Sequence, residues 1–239
     1  MDATHKTDVT HKPEGVINLD KPAGISSARA VDKVKRLLPR GTKIGHAGTL
    51  DPFATGVLLL LVGRATKSCE RLMDAPKQYE AVIKLGATTE TDDPESPEQP
   101  TPNAVPPTPA DVASALTKFV GEITQRPPAY SAMKVSGRRA YDIARKGGEV
   151  KLEPRPVRVY SIDLLGYEWP FVRVRIDCGR GTYIRAIARD LGAALNVGGH
   201  LTELRRTRIG DFNIAQAITL ETLTAEGVAK HLQPIAPTH

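Results

Sequence analysis

The sequence predicts an α/β (α+β) fold: one domain around a mixed, mostly antiparallel sheet flanked by helices. Three observations predict it. Residues 57–62 form an unbroken apolar run closed by Gly63, the pattern of a strand buried in a core. Residues 77–86 alternate as a half-buried strand does. Segments 156–167 and 171–178 meet across a turn at Glu168-Trp169-Pro170. In the second, Arg173, Arg175 and Asp177 alternate with Val172, Val174 and Ile176.

The other elements follow in chain order. Residues 1–13 are polar and read as a disordered tail with solvated His5 and His11. A strand near 16–19 leads to a turn at Pro22 and Gly24. Ser26 or Ser27 then caps a helix over 27–38 that puts Val31, Val34, Leu37 and Leu38 on one side. A glycine-bearing loop precedes the apolar run. A helix over 65–74 follows it, with Leu72 and Met73 inward and Arg64 and Lys67 at its start. Residues 87–109 are acidic and hold seven prolines, which predicts a long, stiff loop. Thr108 and Pro109 open a helix over 109–119. A hairpin insertion occupies about 122–153, entered through the extended Pro127-Pro128. After the paired strands, Gly179 and Gly181 permit close backbone approach, and Thr182 is the expected N-cap of a helix to about 195. Residues 198–210 close the core, and a short helix over 220–230 ends the chain.

The chain has 239 residues, 40% of them hydrophobic, enough for a sizeable core. Its formal net charge is +6, a balance that suits a polyanionic partner. The acidic residues gather at 90–98, and basic residues dominate from Arg126 onward, many beside glycines and aromatics. Cys69 and Cys178 are too far apart for a disulfide framework or metal spacing and read as small buried residues. No signal peptide opens the chain, and no run approaches the ~20 apolar residues of a membrane span, so a cytoplasmic protein is expected. Neither a Walker nor a dinucleotide fingerprint is present, and no metal-ligand spacing, so no cofactor and no metal are expected. No internal repeat is found.

The loop before the apolar run carries the chemistry-bearing side chains, His46 and Asp51. Gly45 and Gly48 let backbone approach a bulky ligand. Pro52 pushes Asp51 toward extended geometry and removes a backbone donor after it. Two readings stand on spacing alone: a carboxylate that caps a turn, or one held rigidly for chemistry.

The string Gly45-His46-Ala47-Gly48-Thr49-Leu50-Asp51-Pro52-Phe53-Ala54-Thr55-Gly56 resembles the catalytic motif of the TruB-type tRNA pseudouridine synthases, G-H-[TA]-G-[TA]-L-D-P-x-A-[TS]-G, at every fixed position. The resemblance continues through Asp20-Lys21-Pro22, Arg64-Ala65-Thr66-Lys67 and Gln125-Arg126-Pro127-Pro128-Ala129-Tyr130-Ser131-Ala132. It runs on through Gly181-Thr182-Tyr183-Ile184-Arg185 and Leu204-Arg205-Arg206. The family's T-D-T-x-D-x-x-G is Thr89-Glu90-Thr91-Asp92-Asp93 here, with no glycine after it.

The resemblance implies the pseudouridine synthase fold over 14–239, with the insertion as an RNA-binding thumb and no C-terminal PUA domain. It implies a monomer that isomerises the T-loop uridine of tRNA, uridine-55, to pseudouridine after base flipping. Asp51 would attack C1′ or C6 or take a sugar proton; the motif leaves all three open. By the same resemblance Arg185 pairs with Asp51 and lowers its pKa, and Tyr183 lies under the base and helps remove the C5 proton. Tyr79 stacks on the base, Leu204 packs near it, and Gly48 belongs to the substrate-binding loop. His46 fills the gap in the stack. Lys21 supports the catalytic loop or the RNA backbone. Lys67 has a phosphate or carboxylate partner, Arg205 and Arg206 hold phosphates, and Lys134 and Arg138 grip RNA from the thumb. The acidic loop 87–109 should point away from RNA.

Four other readings compete. A non-catalytic tRNA-binding or folding protein would keep the arginines and Tyr79 but not need Asp51. A guide-dependent synthase acting on ribosomal RNA would need additional RNA-binding surface. A GxxG module is suggested by Gly45-His46-Ala47-Gly48, but here the glycines lead into Asp-Pro and an apolar run rather than joining helices. A metal hydrolase on His46 and Asp51 lacks further ligands in sequence.

Overall fold

The run at 57–62 is unbroken because its strand is covered on both faces. In the computed structural model, which describes residues 13–131, 133–135, 138–139, 148 and 152–235, strand β3 (Thr55–Val62) buries Leu58, Leu60 and Val62 in one apolar cluster. Val57, Leu59 and Leu61 enter a second cluster on the other side. All six are at most 1% exposed. At roughly 1.5–3 kcal/mol for each fully buried Leu or Val, this strand is a major anchor of the fold.

Around β3 the chain builds a ten-stranded sheet. β1 (Gly15–Lys21) and β2 (Ile44–Ala47) pair antiparallel to β3. β4 (Lys77–Leu85) precedes a two-stranded pair, β5 (Ala87–Thr88) with β6 (Gln99–Pro100). β7 (Gly121–Gln125) is an edge strand, and β8 (Lys134–Val135) pairs with β9 (Arg138–Arg139) as a separate hairpin. β10 (Arg155–Glu168) and β11 (Phe171–Cys178) form the predicted antiparallel pair around the turn at Glu168-Trp169-Pro170. β12 (Gly199–Ile209) returns to the middle, β13 (Phe212–Asn213) pairs with it, and β14 (Ile218–Thr219) lies along β1. The order is β14-β1-β3-β12-β4-β11-β10-β7, and only β1–β14 and β3–β12 are parallel. The sheet is thus mixed and mostly antiparallel, as predicted.

Helices cover the larger core. α1 (Ser27–Lys35) is capped by Ser26, whose hydroxyl accepts from the Arg29 amide, and it buries Ala30 and Val34. It ends at Lys35, three residues before the predicted end; Leu37 and Leu38 close a tighter turn through hydrogen bonds to Val34 and Lys35 carbonyls. The predicted helix over 65–74 is a 3₁₀ segment, Gly63–Ser68, followed by the short α2 (Cys69–Asp74). α3 (Pro109–Thr117) has a reciprocal Thr108–Asp111 capping box. α4 (Ile184–Ala194) packs against β12 and β4.

Two expectations need correction. Thr182 is not the N-cap of α4; Tyr183 holds that position, and the Thr182 hydroxyl donates back to the Gly179 carbonyl at 3.2 Å. The C-terminal α-helix over 220–230 does not form. Thr222 and Thr224 hydroxyls bond to nearby backbone groups there, which competes with a helix, and only a 3₁₀ turn, Val228–His231, follows. Within the loop over 87–109, β5–β6 closes the base, and Thr91 and Asp93 are buried. The calls on 1–12 lie outside the described residues, as do most of those on the insertion.

Candidate active site

Three elements pin the loop that carries Asp51. From the end of β1, Lys21 is fully buried, and its ammonium donates to the carbonyls of Pro22 (2.7 Å), Ile25 (2.8 Å) and Pro52 (3.3 Å). From the first turn of α1, the Ser27 hydroxyl accepts from the Leu50 amide (2.8 Å) and donates to its carbonyl (3.0 Å). From β12, the Arg206 guanidinium donates to the carbonyls of Val57 (2.7 Å), Gly48 (3.1 Å) and Thr49 (3.4 Å). Gly56 makes the crossing possible: its φ is +103°, and a Cβ there would sit 2.2 Å from the Arg206 carbonyl oxygen. Ser27→Ala leaves both Leu50 backbone groups without that partner. A loss of about 1–3 kcal/mol in urea unfolding, at unchanged slope, is expected.

The second half of the site is Arg185, on α4 and 4% exposed. Its Nη2 donates to Asp51 Oδ1 at 3.2 Å, and its Nε lies 3.0 Å from Oδ2. Its Nη1 donates to Asp93 Oδ2 at 2.9 Å and to the Thr91 carbonyl at 3.0 Å, and Nη2 also reaches the Tyr130 carbonyl at 2.9 Å. One rigid fork therefore serves two carboxylates and two loops. Asp93 is in turn held by the Thr91 hydroxyl and the Glu95 amide.

Asp51 is 31% exposed at the floor of a cleft of about 350 Å³. Tyr79, Tyr183, Leu204, Lys77 and Met133 also line it. Such a volume is in the range of small-molecule sites. Burial pushes the Asp51 carboxyl above its ordinary 3.8; Asp93 adds to this, while Arg185 opposes it. The expected lowering is thereby corrected: the guanidinium is present, but desolvation outweighs it. Burial also lowers Lys21 to about 8. Tyr183 is fixed through its backbone: Gln125 Oε1 accepts from its amide at 2.8 Å, and Gln125 Nε2 donates to its carbonyl at 3.0 Å. The Arg155 guanidinium lies 5.5 Å from its ring centre.

A family model described as "TruB family pseudouridylate synthase (N terminal domain)" matches residues 35–184, the stretch that holds the Asp51 loop, β4 and Tyr183. The chain belongs to the TruB family. A second model, "tRNA pseudouridylate synthase B C-terminal domain", matches residues 185–235. A tRNA pseudouridine synthase B of Aromatoleum aromaticum is 48% identical over 94% of this chain and 72% of its own length. One of Clostridium kluyveri is 44% identical over 93% and 76%. A chain in the crystal structure of a Cbf5-Nop10-Gar1 complex superposes with a TM-score of 0.71 at 33% identity, over 92% of this chain. This chain spans 60% of that one's length.

The TruB-type cleft gathers Gly48, Asp51, Tyr79, Tyr183, Arg185 and Leu204, which the motifs named. Arg206 lines it too; the other named residues lie elsewhere. Lys21 is spent on loop carbonyls and has no exposed surface for a phosphate. His46 sits on β2, outside the cleft lining. Lys67 faces a separate depression with Lys43 and Arg64. Arg205 is paired with Asp20 at 2.7 Å and opens onto another depression. Arg206 does not hold a phosphate from the outside; it is 2% exposed and ties the loop to the sheet. Of Lys134 and Arg138 only the backbone pairing is described. Asp93, Gln125 and Lys77 belong to the site without having been singled out. For Asp93 the available signal was the family's T-D-T-x-D segment; for Gln125 it was the Q-x-P-P segment. Among the described residues there is no group of three metal-ligating side chains, and no helix is long and apolar enough to cross a membrane.

Proposed function

We propose that this TruB-family isomerase converts uridine-55 in the T loop of tRNA to pseudouridine, with Asp51 as the reacting carboxylate. One observation carries the reading: among the described residues lining the cleft, Asp51 is the only carboxylate, and it shares that cleft with Tyr79 and Tyr183. The reaction breaks N1–C1′ and joins C5 to C1′. A flipped uridine can bring C1′, C2′ and C6 to one loop carboxylate, whereas a stacked one cannot. Arg185 fixes the carboxylate plane. Tyr79 and Tyr183 offer ring faces to the base, and the Tyr183 hydroxyl relays the proton lost from C5, handing on its own proton as it takes that one. Every atom of the product is already in the substrate, so no metal or cofactor has to supply one; the reading also takes the chain as a cytoplasmic monomer. In this reading residues 14–239 form one catalytic domain, and the β8–β9 hairpin belongs to the thumb that presses on RNA.

Asp51 acts as the ionised form. Its raised pKa places the acid limb of the single-turnover rate above pH 3.8. The signs can be tested separately. Arg185→Met removes the strongest opposing influence and moves the limb to higher pH; Asp93→Asn removes a repulsive one and moves it to lower pH. Both variants are slower. A limb that neither substitution moves contradicts the assignment of that titration to Asp51.

The functional test incubates the purified chain with an unmodified T-arm stem-loop and maps pseudouridine by position. Product at the T-loop uridine supports the reading. RNA binding without product moves the chain to a non-catalytic tRNA-binding role, and product only after addition of a guide RNA moves it to guide-dependent chemistry.

A further inference from the structure

Lys77, the first residue of β4, is 6% exposed and lines the same cleft as Asp51. Among the described residues its ammonium donates to one acceptor, the Met73 carbonyl in the last turn of α2. An ammonium has three donors, and a buried one is costly unless paired. The charged and titratable groups that act on it supply little compensation. From β12 comes Arg206, and from the segment after β11 comes Arg180, both cations. Cys178 on β11 is a neutral thiol, pushed up to about 12 by burial. Asp74 on α2 faces solvent and is engaged by Arg180 at 2.8 Å. Burial accordingly lowers Lys77 to about 8. The fold has placed an incompletely compensated cation on the wall of a reaction cleft.

The reaction supplies the missing anion. If Asp51 attacks C1′ or takes a sugar proton, the N1–C1′ electron pair leaves with the base, and the uracil anion spreads its charge over N1, O2 and O4. If Asp51 adds to C6, the electron pair of the C5–C6 double bond moves into an enolate on O4. All three routes put charge on O4. They end alike: C5 bonds to C1′, C5 gives up its proton, and N1, freed from C1′, gains one.

We propose that Lys77 is a further catalytic residue, whose ammonium hydrogen-bonds uracil O4 as negative charge develops there. The inference rests on the Asp51 cleft being the site of uridine isomerisation. Lys77 keeps its proton throughout. Its contribution is that of a preorganised donor, the loss of which costs about 100-fold or more in rate.

The test is a cycle between protein and substrate, read as single-turnover rates on T-arm stem-loops carrying uridine, 4-thiouridine or 2-thiouridine at the target. Sulfur is a weak acceptor, so replacing O4 removes the contact from the RNA side, as Lys77→Met removes it from the protein side. Lys77→Met is expected to lose about 100-fold in rate with RNA affinity within about twofold. The two changes at O4 should be coupled by at least about tenfold, and the O2 change should be independent. Additive effects at O4 overturn the proposal and leave Lys77 as a cap on α2. If Lys77→Met does not fold, Lys77→Arg, which keeps the charge but redirects the donors, is put through the same cycle, and the same coupling decides. Wild-type protein that binds the uridine stem-loop without turning it over defeats the underlying functional reading instead.

Discussion

Asp51→Asn is expected to lower single-turnover isomerisation by at least about 10,000-fold, the scale seen when the reacting group of a catalytic unit is removed, while RNA affinity stays within about twofold. The structure separates the two quantities. The amide keeps the size of the carboxylate and one acceptor for Arg185, and Asp93 still holds the other side of that guanidinium at 2.9 Å. The loop is pinned by Lys21, Ser27 and Arg206, none of which binds the Asp51 side chain. Fold and base pocket therefore persist. What disappears is a negative oxygen able to attack carbon or take a proton. Stability should hold too, because the substitution removes a carboxylate whose burial is unfavourable. An Asn variant with measurable multiple turnover contradicts the mechanism.

Arg206→Met should be the most damaging structural change in the site. The side chain is fully enclosed, and three backbone carbonyls depend on its guanidinium. Methionine restores part of the apolar stem but no donor. The buried Val57 carbonyl costs about 1–3 kcal/mol when orphaned and the part-buried Gly48 and Thr49 carbonyls add less, so a loss of about 2 kcal/mol or more is expected in urea unfolding, with a large fall in rate as the Gly48–Thr49 backbone relaxes. Arg205→Met is the control. Its ion pair with Asp20 is between partly exposed groups, 41% and 23%, and is worth about 0–1 kcal/mol. If Arg206 instead served RNA phosphates, its variant would keep the unfolding midpoint and lose salt-dependent affinity.

The contrast between these neighbours marks where sequence reading stops. Arg205 and Arg206 look alike in the string, and both fit a phosphate role. Which one turns inward is decided by strand register: β12 carries irregularities at 201–203 and 206–208, and Arg206 pairs with Gly56, where there is no side chain in the way. The pairing of Asp51 with Arg185 was legible only through motifs, since 134 residues separate them. Even so, the motif gives the partner and not the depth of burial, and depth sets the direction of the Asp51 shift. Asp93 was obscured by its surroundings. An acidic, proline-rich segment reads as solvated, yet Arg185 draws one of its carboxylates into the core. The sheet was easier. The run 57–62 and the alternation in β4 and β11 report burial on two faces and on one, and burial is what a strand sequence records. Helix ends were less legible because local hydroxyls, at Thr182, Thr222 and Thr224, chose nearby carbonyls and amides over the capping or helical roles expected of them.

The most direct test of the central claim follows the C5 hydrogen. Isomerisation must release it, whereas binding alone cannot. A T-arm stem-loop with tritium at C5 of the target uridine is mixed with excess protein in EDTA, and released tritium is counted over time for wild type and Asp51→Asn. The account predicts release approaching one tritium per RNA with wild type and none with Asp51→Asn over the same period. Release that survives the substitution, or its absence from wild type bound to the RNA, contradicts it.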